Sequence, residues 1–297
     1  MLKNRSILIL ALTGFLIIVS IFLYLLYING YSFAVRYEQI YHSPSGSPVV
    51  FLLPHQDDEM LMAGAIVANI EAKRNVYVIA VTDGGSSTAR YVINGRDDNG
   101  KPVFSTLDNK YHDPFREGYK PLDKRTFTSL RNKELYTSML RLGVLPEHIL
   151  FANPGGINGS DQPTYRDGQL TVPLATQVIN YYFKLLGDGN YNTVAAQLGR
   201  LNNEHGDHQA LRNALLAFSG ISKKHFFSEK TGRGTRVYLT KEEQTLKNNA
   251  LEIYYEWNPA QNEFAIAKYS VGPMLDKWRA SPYEYVMTPN EIAASAQ

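Results

Sequence analysis

Five consecutive apolar residues, Val49-Val50-Phe51-Leu52-Leu53, stand between Pro48 and Pro54 and are followed at once by His55-Gln56-Asp57-Asp58-Glu59. A β-branched and aromatic run of this length, with breakers at both ends, predicts a strand buried on both faces. Met60, Leu61, Ala63, Ala65, Ile66, Ile70 and Ala72 then continue without a proline, as a buried helix does. The polar cluster therefore falls where a parallel strand hands over to a helix. Ligands of open α/β sheets bind at that edge, outside the carboxyl ends of the strands. Capping accounts for one acid there; an imidazole and three acids within five residues exceed what a cap requires.

The same alternation continues along the chain. Residues 76–81 read as a second strand, 148–151 as a third, and Thr193-Val194-Ala195-Ala196 as part of a fourth. Helices are expected over 129–142, where Leu130, Leu135, Met139 and Leu142 share a face ahead of Gly143, and over 174–186. Leu211, Ala214, Leu215 and Phe218 continue a further helix. Strands alternating with helices predict an α/β fold with a Rossmann-like, mostly parallel sheet flanked by helices. With 297 residues, 44% of them apolar, the chain can build a sizeable core. No G-x-G-x-x-G follows the first strand, which argues against a dinucleotide cofactor.

The chemistry of the cluster is that of a metal site. His55 offers a neutral nitrogen and Asp58 an oxygen, both suited to Zn²⁺, and a catalytic zinc keeps about three protein ligands and a water. The missing ligand is sought in Glu204-His205-Gly206-Asp207-His208, which also follows a strand-like run. His205 and His208 stand at i, i+3 and face one pocket if that turn is helical. The absence of cysteine removes disulfides and zinc sites built on Cys. A net charge of +2 gives no electrostatic case for nucleic acid.

Pro54-His55-Gln56-Asp57-Asp58-Glu59 resembles the P-H-P-D-D-E signature of the PIG-L or LmbE-like zinc de-N-acetylases, and His205-Gly206-Asp207-His208 resembles their H-x-x-H motif. Weaker likenesses are Val81-Thr82-Asp83-Gly84 and Arg131-Asn132-Lys133-Glu134, the resemblance spanning roughly residues 48–255. It implies that His55, Asp58 and His208 hold Zn²⁺, that Asp57 is the general base, and that His205 stabilises the oxyanion or protonates the leaving amine. Asp207 would orient a histidine, and Asp83 and Arg131 would lie near the substrate. The implied activity is removal of acetyl from an N-acetylated amino sugar in a glycan, glycolipid or glycoside, an amide hydrolysis at a non-peptide C–N bond. Gln56 replaces the signature's second proline, a change of loop rigidity more than of ligation.

Other readings are a metal-dependent glycosyltransferase using Asp57 and Asp58 with Mg²⁺ or Mn²⁺, and an inactive, membrane-tethered carbohydrate-binding protein. The first leaves His55 and His208 without a task. The second would be signalled by loss of Asp57, His205 or a ligand, and none is missing.

Lys3 and Arg5 precede an uncharged run over 6–29. Its length matches the ~20 residues of a membrane-crossing helix, and the leading charge predicts a cytoplasmic N-terminus. The expectation is a single N-terminal transmembrane helix, a signal anchor, in a single-pass protein whose catalytic domain is extracytoplasmic; cleavage would make the protein secreted. The expected organisation is thus a cytoplasmic stub and anchor over 1–29, a linker over 30–47, a deacetylase domain over 48–255 with an insertion over 85–124, and a C-terminal extension over 256–297 packed on that domain. The partners expected are the acetylated sugar and the membrane; oligomeric state has no signal. In the insertion, Tyr91, Tyr111, Phe115 and Tyr119 are candidates for sugar stacking or loop packing, and His112 reads as a surface residue. Arg131 and Glu134 also read as an exposed i, i+3 ion pair.

Overall fold

A computed structural model describes residues 13–21, 35–41, 46–195, 205–228 and 234–295. Its strands are β1 (Pro48–Leu53), β2 (Asn75–Ala80), β3 (Ile149–Phe151), β4 (Asn190–Val194), β5 (Lys223–Phe227), β6 (Thr235–Tyr238), the small hairpin β7 (Trp257–Asn258) and β8 (Glu263–Phe264), and β9 (Tyr283–Met287). The helices that position the site are α1 (Ala63–Glu71), α2 (Ala89–Asn94), α3 (Lys124–Leu142), α4 (Pro154–Asn158), α5 (Val172–Leu186), α6 (Gly206–Ala217), α7 (Lys241–Leu251), α8 (Ile266–Val271) and α9 (Met274–Ala280).

The main sheet runs β3-β2-β1-β4-β5-β9-β6. Its first five strands are parallel, whereas β9 pairs antiparallel with both β5 and β6. All six residues of β1 are buried because it lies inside the sheet with helices on both faces. Val49, Phe51 and Leu53 point into the layer of α1 and α3; Val50 and Leu52 point into that of α5 and α6. From β1 the chain winds outward to β2 and β3, and from β4 in the other direction to β5. The crevice at such a reversal, beyond the carboxyl ends of β1 and β4, is where open α/β sheets bind ligands.

Helix α3 begins five residues before the expected start, because the Asp123 side chain accepts the Thr126 N–H and caps it there. It ends where Gly143 takes φ +93°, a left-handed turn open to glycine. Met60 and Leu61 belong to a 3₁₀ turn over Asp58–Leu61, and α1 starts only at Ala63. Glu284 on β9 accepts the Gly64 and Ala65 N–H groups at 2.8 and 3.1 Å and the Lys247 ammonium at 2.9 Å. The last strand thereby fastens the start of the helix that follows the polar cluster.

The insertion is only partly helical, in α2. Asn94 and Leu122 exchange two hydrogen bonds across it, and Tyr119, Leu122 and Phe127 pack with Phe264, Ile266 and Tyr269 of the C-terminal segment. Tyr119 is therefore a core residue, while Tyr111 and Phe115 are exposed. His112 is buried rather than on the surface, between Trp257 and Tyr269.

The expected transmembrane helix is corrected. Among the described residues no helix is long and apolar enough to cross a membrane. Within 6–29 the described residues are 13–21, and they are helical. Residues 6–12 and 22–29 of the run lie outside the described residues. The membrane partner and the single-pass, extracytoplasmic placement rested on that helix and are corrected with it. Tyr37 and Tyr41, from the expected linker, are buried against the domain.

Candidate metal centre

The turn after β1 and the first turn of α6 meet in the crevice between β1 and β4. His55 Nδ1 lies 3.0 Å from His208 Nε2 and 3.3 Å from Asp58 Oδ2. His208 Nε2 lies 3.2 Å from the same oxygen. These three donor atoms form one triangle at the wall of a cavity of about 330 Å³. The backbone dictates the convergence: His55 N–H donates to Asp58 Oδ2 at 2.8 Å, folding the carboxylate back over its own turn. His205 is the N-cap of α6, so His205 and His208 share the helix's first turn, with ring centroids 5.5 Å apart.

The other face of the His55 ring meets two further acids. Its Nε2 is 3.3 Å from Asp207 Oδ2 and 3.3 Å from Asp167 Oδ1. Asp207 is itself fixed, accepting the Gly168 and Leu170 N–H groups at 2.7 and 2.9 Å. Burial pushes the His55 ring down, but hydrogen bonds to Asp167, Asp207 and Asp58 reverse this and hold it well above the usual imidazole value. Burial raises the Asp58 carboxyl, yet His208 and His55 outweigh it and hold the group far below the carboxylate range. His205 is pushed down by burial and by its two histidine neighbours, and its side chain is 47% exposed at the cavity. Three buried acids gathered around imidazoles form a surrounding that favours positive charge.

Asp57 occupies the same cavity, with Oδ2 2.7 Å from Arg131 Nη2. Arg131 also donates to the Gly84 carbonyl at 2.6 Å. The exposed Arg131–Glu134 pair expected on α3 is corrected: both side chains are buried, and Glu134 accepts the Ile266 and Ala267 N–H groups at 2.7 and 3.1 Å instead. Burial raises the Glu134 carboxyl to about 8. Gln56 donates to the Thr82 carbonyl and to Asn132 Oδ1, each at 2.8 Å, so the residue replacing proline braces the loop through its side chain. Asp83 lies outside this cavity, where its Oδ1 accepts the N–H groups of Gly85 and Asp167, each at 2.9 Å.

Sequence reasoning missed Asp167, and with it Ser270 and Val271, which together with Trp278, an aromatic of the tail read as a cleft or core residue, wall the cavity from the C-terminal segment. Asp167-Gly168 beyond the third strand was the available signal. Such a pair is ordinarily a turn, so nothing set it apart.

Comparison with known proteins follows from this geometry. Similar folds include a triple mutant of a deacetylase of the teicoplanin biosynthetic pathway, at 16% identity and TM-score 0.50, covering 78% of this chain and 89% of that one. Others are a zinc-inhibited form of the teicoplanin deacetylase Orf2 (17% identity, TM-score 0.47, 78% and 90% covered) and N,N'-diacetylchitobiose deacetylase from Pyrococcus horikoshii (15% identity, TM-score 0.45, 82% and 85% covered). No curated protein matches the sequence. The model of the PIG-L family, described as GlcNAc-PI de-N-acetylase, matches residues 50–219, more than half of the chain, and the chain belongs to this family of de-N-acetylases.

Proposed function

We propose that this protein is a zinc-dependent hydrolase that removes acetyl from an N-acetylated amino sugar. The observation that carries the reading is the triangle of His55 Nδ1, His208 Nε2 and Asp58 Oδ2 in a cavity that Asp57 and His205 also line. Two imidazole nitrogens and one carboxylate oxygen are a donor set suited to Zn²⁺. When bound, the cation supplies Lewis acidity and a water of lowered pKa.

The chain's own residues do the rest. Asp57, held by Arg131, takes a proton from the attacking water as general base. Water oxygen adds to the acetamide carbon, the C–N bond breaks, and the proton passes to the amine, leaving acetate and a free amino sugar. His205 is half-exposed at the cavity, where it stabilises the oxyanion or protonates the departing nitrogen. Asp207 is a positioning residue, tied to two backbone N–H groups and aimed at His55 Nε2. Asp83 positions too, through the loop of Asp167. The organisation we infer is a domain over 48–255 with its insertion over 85–124, and an extension over 256–297 that supplies the cavity's second wall. The family match favours a GlcNAc-type sugar over other amides.

Metal analysis of the full chain together with acetate release from N-acetylglucosamine glycans and glycolipids tests this. About one zinc per chain with chelator-sensitive release supports the proposal. Bound zinc without release directs the search to another zinc hydrolysis, and a folded, metal-replete sample that binds none breaks the ligand assignment.

A further inference from the structure

A second cavity, of about 730 Å³, lies on the other side of the loop that leaves β2. Lys124, Arg125 and Arg166 line it, together with Thr128, Asn132 and Asp83. Among the described residues none of the three cations makes a direct ion pair, although the charges of Asp98 and Asp123 reach Lys124 and Arg125. The one acid of the lining, Asp83, spends an oxygen on two backbone N–H groups. The cavity lining is therefore net cationic, three cations to one acid, with Asp98 and Asp123 answering part of that charge from outside it.

Lys124 and Arg125 open α3 directly after its acidic N-cap Asp123, and the first turn itself holds no acid. Lys124 is exposed, with its stem passing over the loop at Gly85. A Cβ on Gly85 would come within 2.7 Å of Lys124 Cε and 3.0 Å of Thr128 Oγ1, so the lysine stem and the loop are in close approach. Independently, Thr164 lines the same cavity, is 2% exposed, and its hydroxyl has no hydrogen-bond partner. A buried hydroxyl left unpaired costs about 1–3 kcal/mol.

We infer that this cavity is a binding site for an anionic group with several acceptor oxygens, of the phosphate, sulfate or carboxylate class. Two guanidinium forks offer paired donors to such a group, and an ammonium and a hydroxyl complete the set. The occupant would sit close to the reaction centre without entering it. Asn132, in this lining, accepts from Gln56 of the polar cluster across a single 2.8 Å bond. The site stands on these side chains and does not depend on the hydrolase reading.

Calorimetric titration of the full chain with inorganic phosphate, against matched chloride, tests the inference. The expected result is saturable binding that weakens at least ~10-fold in the double variant Lys124→Gln/Arg166→Gln and is unaltered in Arg116→Gln, a control at an exposed cation elsewhere. Both positions of the double variant are exposed, and melting curves check that the fold is kept. Equal affinity in the wild type and the double variant, or no saturable binding, overturns it. The source of the anion is then read from acetate release. A KM that rises in the double variant for a phosphorylated N-acetyl sugar, but not for its neutral counterpart, places the anion on the substrate. An unmoved KM for both, with phosphate binding still lost, identifies a free anion. Absence of release from either sugar counts against the hydrolase alone, since the phosphate titration is read without it.

Discussion

His55 and His112 are both buried and both faced by carboxylates, yet only one stands beside open space. His112 has Glu117 Oε2 at 3.0 Å and Asp108 Oδ2 at 3.2 Å. Those acids are answered by Lys110 at 3.3 Å and Lys268 at 3.2 Å, and the ring is packed by Trp257 and Tyr269. His55 has three acids and a second imidazole around it, no lysine among their ion pairs, and a cavity of about 330 Å³ in front. The same residue types thus make a structural knot in one place and a candidate ligand set in the other. What separates them is free volume, since the acids at His55 have Arg131 as those at His112 have their lysines.

The largest expected effects fall on the open cluster. Asp57→Asn should retain zinc and lose about 10²–10⁴-fold in turnover, the range of a lost general base, whereas His208→Ala should lose both. Metal analysis and acetate release on each variant check this, and a fully active Asp57→Asn protein would sink the mechanism. His112→Ala should behave in the opposite way. Removing a ring buried between two aromatic side chains, with two acids left facing each other, should cost about 3–4 kcal/mol by urea unfolding, with zinc content unchanged. Zinc lost from folded His112→Ala protein would erase the contrast between the clusters.

A third buried histidine sharpens the contrast by having no acid at all. His225 lies against Tyr41, with Asn192 Oδ1 3.2 Å from its Nδ1. Burial, helped by Lys223, pushes it down to about 4. The folded state therefore keeps the ring neutral while the unfolded chain protonates it near its ordinary value of about 6.5. This contribution is fully present above the unfolded value and is lost as pH falls from there towards 4, about 3 kcal/mol in all. Urea unfolding across that window should show the loss in the wild type and a flatter profile in His225→Phe. Equal slopes in the two proteins would remove His225 as the cause.

Much of this was legible before the fold. The apolar run of β1, the cluster after it and the H-x-x-H after β4 mark the two strand ends where the winding reverses, so one periodicity argument located the sheet and the crevice between those strands. Asp167 was hidden because it arrives on a loop whose Asp-Gly pair looks like any turn. Arg131 and Glu134 were read as an exposed pair because i, i+3 spacing on a helix does not say what packs over it; the cover is α8, and Glu134 caps it. Strand β9 escaped notice because Glu284, buried in it, breaks the apolar pattern, and only Lys247, Tyr37 and two backbone N–H groups from distant segments make that acid tolerable. The uncharged N-terminal run shows the converse. Hydropathy and length predict a crossing helix, and among the described residues no helix is long and apolar enough to be one.

The smallest expected effect tests what keeps the His112 cluster closed. Lys110 meets Glu117 with its own side chain 45% exposed, so Lys110→Gln should cost no more than about 0.5 kcal/mol, as exposed pairs do. If charge alone divided the two clusters, removing both lysines in Lys110→Gln/Lys268→Gln would leave one imidazole facing two unanswered acids, a set of donors comparable to that of His55. The packing argues otherwise, because Trp257 and Tyr269 take the volume on either side of the ring and Nδ1 and Nε2 point to different acids. An ion at one nitrogen would lie on the far side of the ring from the other. The double variant should therefore bind no more zinc than the wild type does, as metal analysis would read. More zinc in the double variant would show that charge, and not space, decides which cluster takes a metal.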